Sequence, residues 1–241
     1  MKNLKFLLVA AMAMACTTGF AQFANGGKVG NSSSSADIVK SYDRIAVSYN
    51  SYKLSFDHDD YDDISLNGIG AEWIHGFSLS SSTPLYLETG LKFIYAFKSE
   101  DSSEYDDDFY YEEERKLSTM NIAVPINLAY RFTLPNNSDV SITPFTGITL
   151  KGNLSMKEKS EYEYEYDGYE YEYDKGENET DWFDKKDMGK DTAKRFQLGW
   201  QIGAGLSYKA LYLGLSYGLD FTELAKKTKT SNFAVTLGYN F

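Results

Sequence analysis

Ser231-Asn-Phe-Ala-Val-Thr-Leu-Gly-Tyr-Asn-Phe241 is the stretch whose reading decides the fold. In an extended chain, successive side chains point to opposite faces. Phe233, Val235, Leu237, Tyr239 and Phe241 therefore share one apolar face, and Asn232, Ala234, Thr236, Gly238 and Asn240 share a small, polar one. A soluble protein that ended on such a strand would carry an edge prone to aggregation. A transmembrane β-barrel needs that strand to close its wall, with the apolar face toward lipid. The expected address is the bacterial outer membrane, with Tyr239 and Phe241 as the assembly signal that the barrel-assembly machinery reads.

The other end of the chain agrees. Lys2 and Lys5 precede an apolar run from Phe6 to Ala15, and Gly19-Phe20-Ala21 forms a small-x-small cleavage site. This pattern predicts a signal peptide over 1–21; the run is too short for a membrane-spanning helix. Cys16 is the lone cysteine, and Ala13 stands where a lipobox prefers leucine, so ordinary cleavage is the better fit. Residues 22–42, rich in Gly, Asn and Ser, read as a flexible periplasmic lead-in. Residues 43–241 remain for one barrel domain.

The formal net charge of −11 becomes −13 once Lys2 and Lys5 are removed. Such acidity argues against nucleic acid as a partner. The charge is also segregated. Of 35 Asp and Glu, 5 lie in 57–63, 9 in 99–114 and 14 in 155–192.

Period-two alternation predicts strands near 43–56, 64–78, 84–98, 116–132, 139–154, 194–208, 210–221 and 231–241. The expected fold class is all-β, an eight-stranded antiparallel up-and-down transmembrane β-barrel with long extracellular loops. Strand one is ambiguous, because its alternation weakens after Tyr49. Pro125 and Pro144 suggest bulges or local bends. Links after strands two, four and six are short, whereas three of the others carry the acidic segments. Since outer-membrane barrels have short periplasmic turns and long outer loops, both termini are expected in the periplasm and the acidic loops outside.

Inward positions carry Glu72, Glu88, Lys92, Asn127, Arg131, Lys151, Gln197, Gln201, Tyr212 and Asp220. An eight-stranded barrel is barely wide enough for its own side chains, and charges confined there must pair. A polar network centred on Glu72, Glu88, Lys92 and Arg131 is expected to plug the lumen. A narrow cation-selective pore is the transport-class alternative.

Several segments resemble a known family. Gly76-Phe-Ser-Leu-Ser, Pro84-Leu-Tyr-Leu-Glu-Thr-Gly-Leu, Val124-Pro-Ile-Asn-Leu-Ala-Tyr-Arg-Phe132 and Leu237-Gly-Tyr-Asn-Phe241 are similar to the outer-membrane β-barrel "porin family" proteins of Bacteroidota. The resemblance implies an outer-membrane barrel in contact with outer-membrane lipid. Its motifs mark strands and turns, so they imply no catalytic residue and no conduction.

Residues 161–174 read Glu-Tyr-Glu-Tyr-Glu-Tyr-Asp-Gly-Tyr-Glu-Tyr-Glu-Tyr-Asp. Asp167-Gly168 is a favoured two-residue hairpin turn. Folding about it predicts a tyrosine face, with Tyr162 opposite Tyr173, Tyr164 opposite Tyr171 and Tyr166 opposite Tyr169. The other face would align Glu163 with Glu172 and Glu165 with Glu170. Two uses follow for these residues. The carboxylates Glu163, Glu165, Glu170 and Glu172 suit Ca²⁺, which takes many oxygen ligands in flexible geometry; they equally suit a solvated loop with a diffuse cation cloud. The tyrosines suit contact with an extracellular glycan or protein; they equally suit a packed extension of the strands above the membrane. No cofactor other than Ca²⁺ is suggested.

An enzyme is not expected. His58 lies among aspartates, and no Ser/His/acid spacing supports a lipid-modifying site. Gly203-Ala-Gly205 lacks the third glycine and the helix of a nucleotide fingerprint. A structural or surface-interaction role through mobile, acidic, Tyr-rich outer loops is the favoured reading.

Overall fold

The computed structural model describes residues 39–57, 62–106, 109–134, 137–167 and 171–241. Within them the strands are β1 (Tyr42–Phe56), β2 (Ile64–Ser78), β3 (Leu85–Asp106), β4 (Phe109–Tyr130), β5 (Phe132–Leu134), β6 (Asn137–Asp167), β7 (Tyr171–Asp181), β8 (Phe196–Tyr208), β9 (Leu211–Asp220) and β10 (Thr228–Asn240), with one helical turn α1 (Lys185–Met188). The expected signal peptide, His58 and the tip residues Tyr169 and Glu170 lie outside the described residues.

Eight strands form a closed antiparallel ring in the order β1-β2-β3-β4-β6-β8-β9-β10. Closure comes from two ladders. β1 pairs with β10 from Arg44↔Asn240 to Phe56↔Thr228, and β4 pairs with β6 along nearly its whole length. Asp43 and Phe241 exchange two backbone hydrogen bonds of 2.9 Å, which extend the closing ladder past β10.

Alternation does the sorting. Along β8, Phe196, Leu198, Trp200, Ile202, Leu206 and Tyr208 are exposed, whereas Gln197, Gln201 and Ser207 are buried. The thirteen residues of β8 span roughly 40 Å along the strand, or about 30 Å in height at a 45° tilt, which matches a bilayer's hydrocarbon core. Exposed aromatics bracket that band, with Phe97, Phe196 and Phe221 at one end and Phe132, Tyr208 and Tyr239 at the other. β1 resolves the ambiguity of strand one: Ile45, Val47 and Tyr49 are exposed, while Arg44, Asn50, Tyr52 and Leu54 are buried.

Two expectations about irregularity and loops are corrected. Pro125↔Thr149 and Pro144↔Ala204 sit in unbroken register, so the lost donor of each proline is absorbed without a bulge. The register instead shifts between Met120 and Asn121, which pair with Ser155 and Asn153 and leave Leu154 as the extra residue. That extra residue reverses the phase of β6, turning Met156 inward.

Two of the three acidic segments, 99–114 and 155–192, are built largely of strands, whereas 57–63 falls between β1 and β2 and is described only at 57, 62 and 63. β3 and β4 stay paired from the wall out to Asp106↔Phe109, β6 runs for 31 residues, and β7 pairs with its outer third. Only 9–11 residues are needed to cross the membrane. The surplus makes a four-stranded extension, β3-β4-β6-β7, at the end of the ring opposite the short links. Cross-strand Lys–Glu pairs explain why so acidic a segment pairs at all: Lys159 Nζ lies 2.6 Å from Glu177, Lys175 Nζ lies 3.6 Å from Glu163, and Lys157 contacts Glu179.

Candidate functional site

Two regions could carry function, the lumen and the extension. In the lumen, the four expected residues are buried or half-buried, but one further residue organises them. Arg44 places Nη1 3.3 Å from Glu88 Oε1 and Nε 3.8 Å from Glu72 Oε1. Lys92 Nζ is 3.1 Å from Glu72 Oε2. The Tyr42 hydroxyl donates to Glu88 Oε1. Arg131 stands apart from these carboxylates; its guanidinium stacks 4.3 Å from the Tyr42 ring and 5.0 Å from Tyr86. Sequence reasoning missed Arg44 because the face of strand one was unsettled. The odd-numbered Ile45, Val47 and Tyr49 were the signal that places position 44 inside.

A second polar cluster lies further along the axis. Lys151 binds Asp220, the Tyr52 hydroxyl at 3.2 Å and Thr230 at 2.9 Å. Gln201 Nε2 donates to Asn127 Oδ1 at 2.7 Å. Between the two ion-pair groups is a cavity of about 60 Å³, lined by Asn50, Glu72, Asn121, Thr149, Lys151 and Asn232 among others. Polar walls and this volume suit a few water molecules.

Both ends of that cavity are closed by apolar clusters. Toward the short links stand Tyr42, Tyr86, Ala129 and Phe145. Toward the extension stand Tyr52, Leu54, Leu66, Leu117, Met156, Trp182 and Leu224. Trp182 belongs to the link between β7 and β8, which folds over the mouth. Its backbone N–H donates to Met156 O at 3.0 Å, and its backbone carbonyl accepts from the Ala193 N–H at 2.8 Å.

In the extension, the register between β6 and β7 corrects the expected hairpin. Tyr164 pairs with Asp174, Glu163 with Lys175, Glu165 with Tyr173 and Asp167 with Tyr171. The pairing is centred on Tyr169 instead of on Asp167-Gly168, so each residue meets a partner three positions later than expected. Three is odd, and an odd shift exchanges the faces. Tyrosines therefore oppose acidic positions, and no all-tyrosine face forms. Tyr162 and Tyr164 are half-buried on the inner face, beside Tyr111 in register, whereas Tyr173 is 52% exposed on the outer face. Glu163 and Glu165 therefore meet Lys175 and Tyr173 across the hairpin, and position 172 pairs with position 166. Among the described residues, no group of three or more His, Cys, Asp or Glu converges in a way that could hold a metal ion.

This register relieves repulsion. Lys175 Nζ lies 3.6 Å from Glu163, and Lys159 Nζ lies 2.6 Å from Glu177. On the inner face Glu113 accepts from Ser160 Oγ at 2.7 Å, from Arg115 Nε at 2.8 Å and from the Tyr111 hydroxyl at 3.1 Å. The Ser160 and Arg115 hydrogen bonds hold the Glu113 carboxyl below its ordinary range, as the Lys157 hydrogen bond does for Glu179. Gly176 faces Tyr162 so closely that a Cβ on it would meet the ring at 2.4 Å.

His75 Nδ1 is 2.9 Å from Asp43 Oδ1, and its ring packs on Phe77. Tyr239 and Phe241 are exposed on the apolar band.

A family model described as outer membrane protein beta-barrel domain matches residues 20–222. No curated protein matches the chain. Among solved structures, the chain is similar to Ail, the attachment invasion locus protein of Yersinia pestis, in complex with the heparin analogue sucrose octasulfate, at 11% identity and a TM-score of 0.42 over 84% of this chain and 99% of that one. It is also similar to Neisserial surface protein A, at 12% identity and a TM-score of 0.36 over 83% and 97% of the two chains. The outer membrane protein OprG from Pseudomonas aeruginosa gives 9% identity and a TM-score of 0.34 over 86% and 98%.

Proposed function

The chain belongs to the outer membrane protein beta-barrel domain family, and from that premise we propose that it is a non-conducting, non-enzymatic barrel displaying the β3-β4-β6-β7 sheet outside the cell as an interaction surface. The short links and both chain termini then lie in the periplasm. The strand and turn motifs of the sequence support a Bacteroidota origin, and Tyr239 and Phe241 remain the proposed signal for barrel assembly.

One observation carries this reading. The lumen is largely occupied by paired side chains around one small polar cavity, whereas strand length has gone into a sheet that the membrane does not require. Arg44, Lys92, Glu72 and Glu88 bind each other, and apolar clusters close both ends. A sheet of paired strands presents its side chains in fixed order, which lowers the entropy lost when a partner binds. Tyr111, Tyr162 and Tyr164 give it rigid contact area for an extracellular protein or glycan. For divalent cations, the acidic extension supports a diffuse cloud.

The test uses two arms. In planar bilayers the protein should give no stable unitary steps. Replacing residues 158–180 with a two-residue turn keeps the Lys157↔Asp181 base of the hairpin and Trp182. Cells displaying that variant should lose adhesion to protein- or glycan-coated surfaces. Conductance steps with unchanged adhesion would reverse the reading in favour of a narrow cation-selective pore.

A further inference from the structure

Above the apolar band, β3 keeps one neighbour and loses the other. Its ladder with β2 ends at Asn67↔Phe97, whereas its ladder with β4 continues to Asp106↔Phe109. Residues 98–106 are therefore an edge, and among the described residues no strand pairs with their other side. Alternate backbone N–H and C=O groups there point away from β4. At about 3.3 Å per residue the edge is roughly 30 Å long. An edge of that length is a ready template for another strand.

The edge is also pre-formed. It continues a strand rooted in the barrel wall and is held extended by β4, so an incoming segment has only itself to order. Charge decides which segment fits. Glu100, Asp101 and Glu104 lie along the edge with Lys98, which is itself paired with Glu100. Behind them on β4, Glu112, Glu113 and Glu114 stand in register with Ser103, Ser102 and Asp101, while Arg115 and Lys116 stand opposite Glu100 and Ser99 at the base of the edge and are paired with Glu113 and Glu114. A second copy of this edge would bring like charges into apposition, which destabilises pairing. A strand bearing Lys or Arg meets the opposite charge. Positions 100 and 104 share one face, so basic residues four apart on the incoming strand fall on that pair of carboxylates.

We propose that residues 98–106 are a docking edge for an extended, Lys- or Arg-rich segment of another polypeptide, which adds to β3 as the next strand of the sheet. Backbone hydrogen bonds supply the affinity and the carboxylates supply the selection. The opposite edge suits this less well. On β7, Lys175 stands mid-strand, and the Asp181 N–H is already bound to Asp187 Oδ2 at 2.9 Å. The inference rests on the surface-interaction reading above and names the partner's chemistry.

Isothermal titration of the full-length protein with an acetylated (Lys-Val)₄ amide tests it, beside the same peptide N-methylated at alternate residues. The unmodified peptide should bind saturably and about tenfold more tightly, the equivalent of one or two lost backbone hydrogen bonds. Hydrogen exchange should slow at 98–106. Equal binding of both peptides would reduce the interaction to charge and overturn the proposal, as would protection at 171–179 instead. Ser102→Pro and Ser103→Pro add a second arm, because neighbouring N–H groups point to opposite sides. The variant that preserves exchange protection of β4 should lose about tenfold in peptide affinity. If the peptide fails while trimming 158–180 still abolishes adhesion, the edge is wrong and the interaction reading stands. If trimming changes nothing and the peptide also fails to bind, the interaction reading itself fails.

Discussion

Arg44 on β1 and Glu88 on β3 meet across the intervening strand β2, with Nη1 and Oε1 3.3 Å apart inside the barrel. Both side chains are at most 5% exposed. The pair joins three strands of the wall through their inward faces, and it does so beside a second buried carboxylate, Glu72.

Breaking that pair from one side leaves a buried charge uncompensated. Arg44→Ala should destabilise the barrel by about 3–5 kcal/mol, whereas the double variant Arg44→Met/Glu88→Met should recover most of the loss. Urea unfolding in detergent, followed by heat-modifiable gel migration, measures both. A single variant as stable as the parent would contradict the pairing.

Gly176 leaves room for the Tyr162 ring, with 2.4 Å between an added Cβ and the ring carbon. Gly176→Val should expel that ring and loosen the β6–β7 hairpin without touching the membrane wall. Limited proteolysis should then cut within 157–181 sooner than in the parent, with heat-modifiable migration unchanged. Equal cleavage rates would mean that Tyr162 does not hold the hairpin.

The extension should respond to acid. The folded-state carboxyls of Glu113 and Glu179 are depressed by hydrogen bonds from Ser160 and Lys157, respectively. A depressed carboxyl contributes stability above its unfolded value, near 4.3, and loses it as pH falls through the folded value. Exchange protection at 157–181 should therefore be flat from pH 7 to about 5 and decline below it, with the barrel strands unaffected. Added salt should weaken the same exposed pairs at neutral pH. Protection that rises on acidification would show that carboxylate repulsion outweighs the ion pairs.

Two apolar clusters stand at opposite ends of the lumen. Trp182→Ala opens the cluster on the extension side, and Tyr42→Ala opens the one on the other side. Each alone should remain silent in planar bilayers, because the opposite cluster and the ion pairs still block the axis. The combined variant should show small, unstable conductance steps. Full-sized steps from either single variant would place the barrier on one side only.

Much of the wall was legible because lipid and lumen impose period two on every strand. The outward rows of β3, β4, β8, β9 and β10 follow directly from Leu, Phe and Tyr at alternate positions. Arg44 was not legible for the reason that strand one carries Ser and Asn on both faces beyond Tyr49, so its polar pattern fits either register. The hairpin was misjudged because Asp167-Gly168 is a strong local turn signal. The ion pairs of Lys157, Lys159 and Lys175 with residues on the opposing strand act over the whole ladder and favour a register three residues away.

By itself, the sequence determined the barrel, its strand number and the segregation of acid to one end, since these follow from local alternation and solvent preference at each position. Only the tertiary structure decided which charges meet in the lumen, that the acidic segments beginning within β3 and β6 are largely paired strands, and that β3 is left with an open edge. Those outcomes depend on register and on ring closure. Both are set by contacts between residues far apart in the chain, which no local pattern encodes.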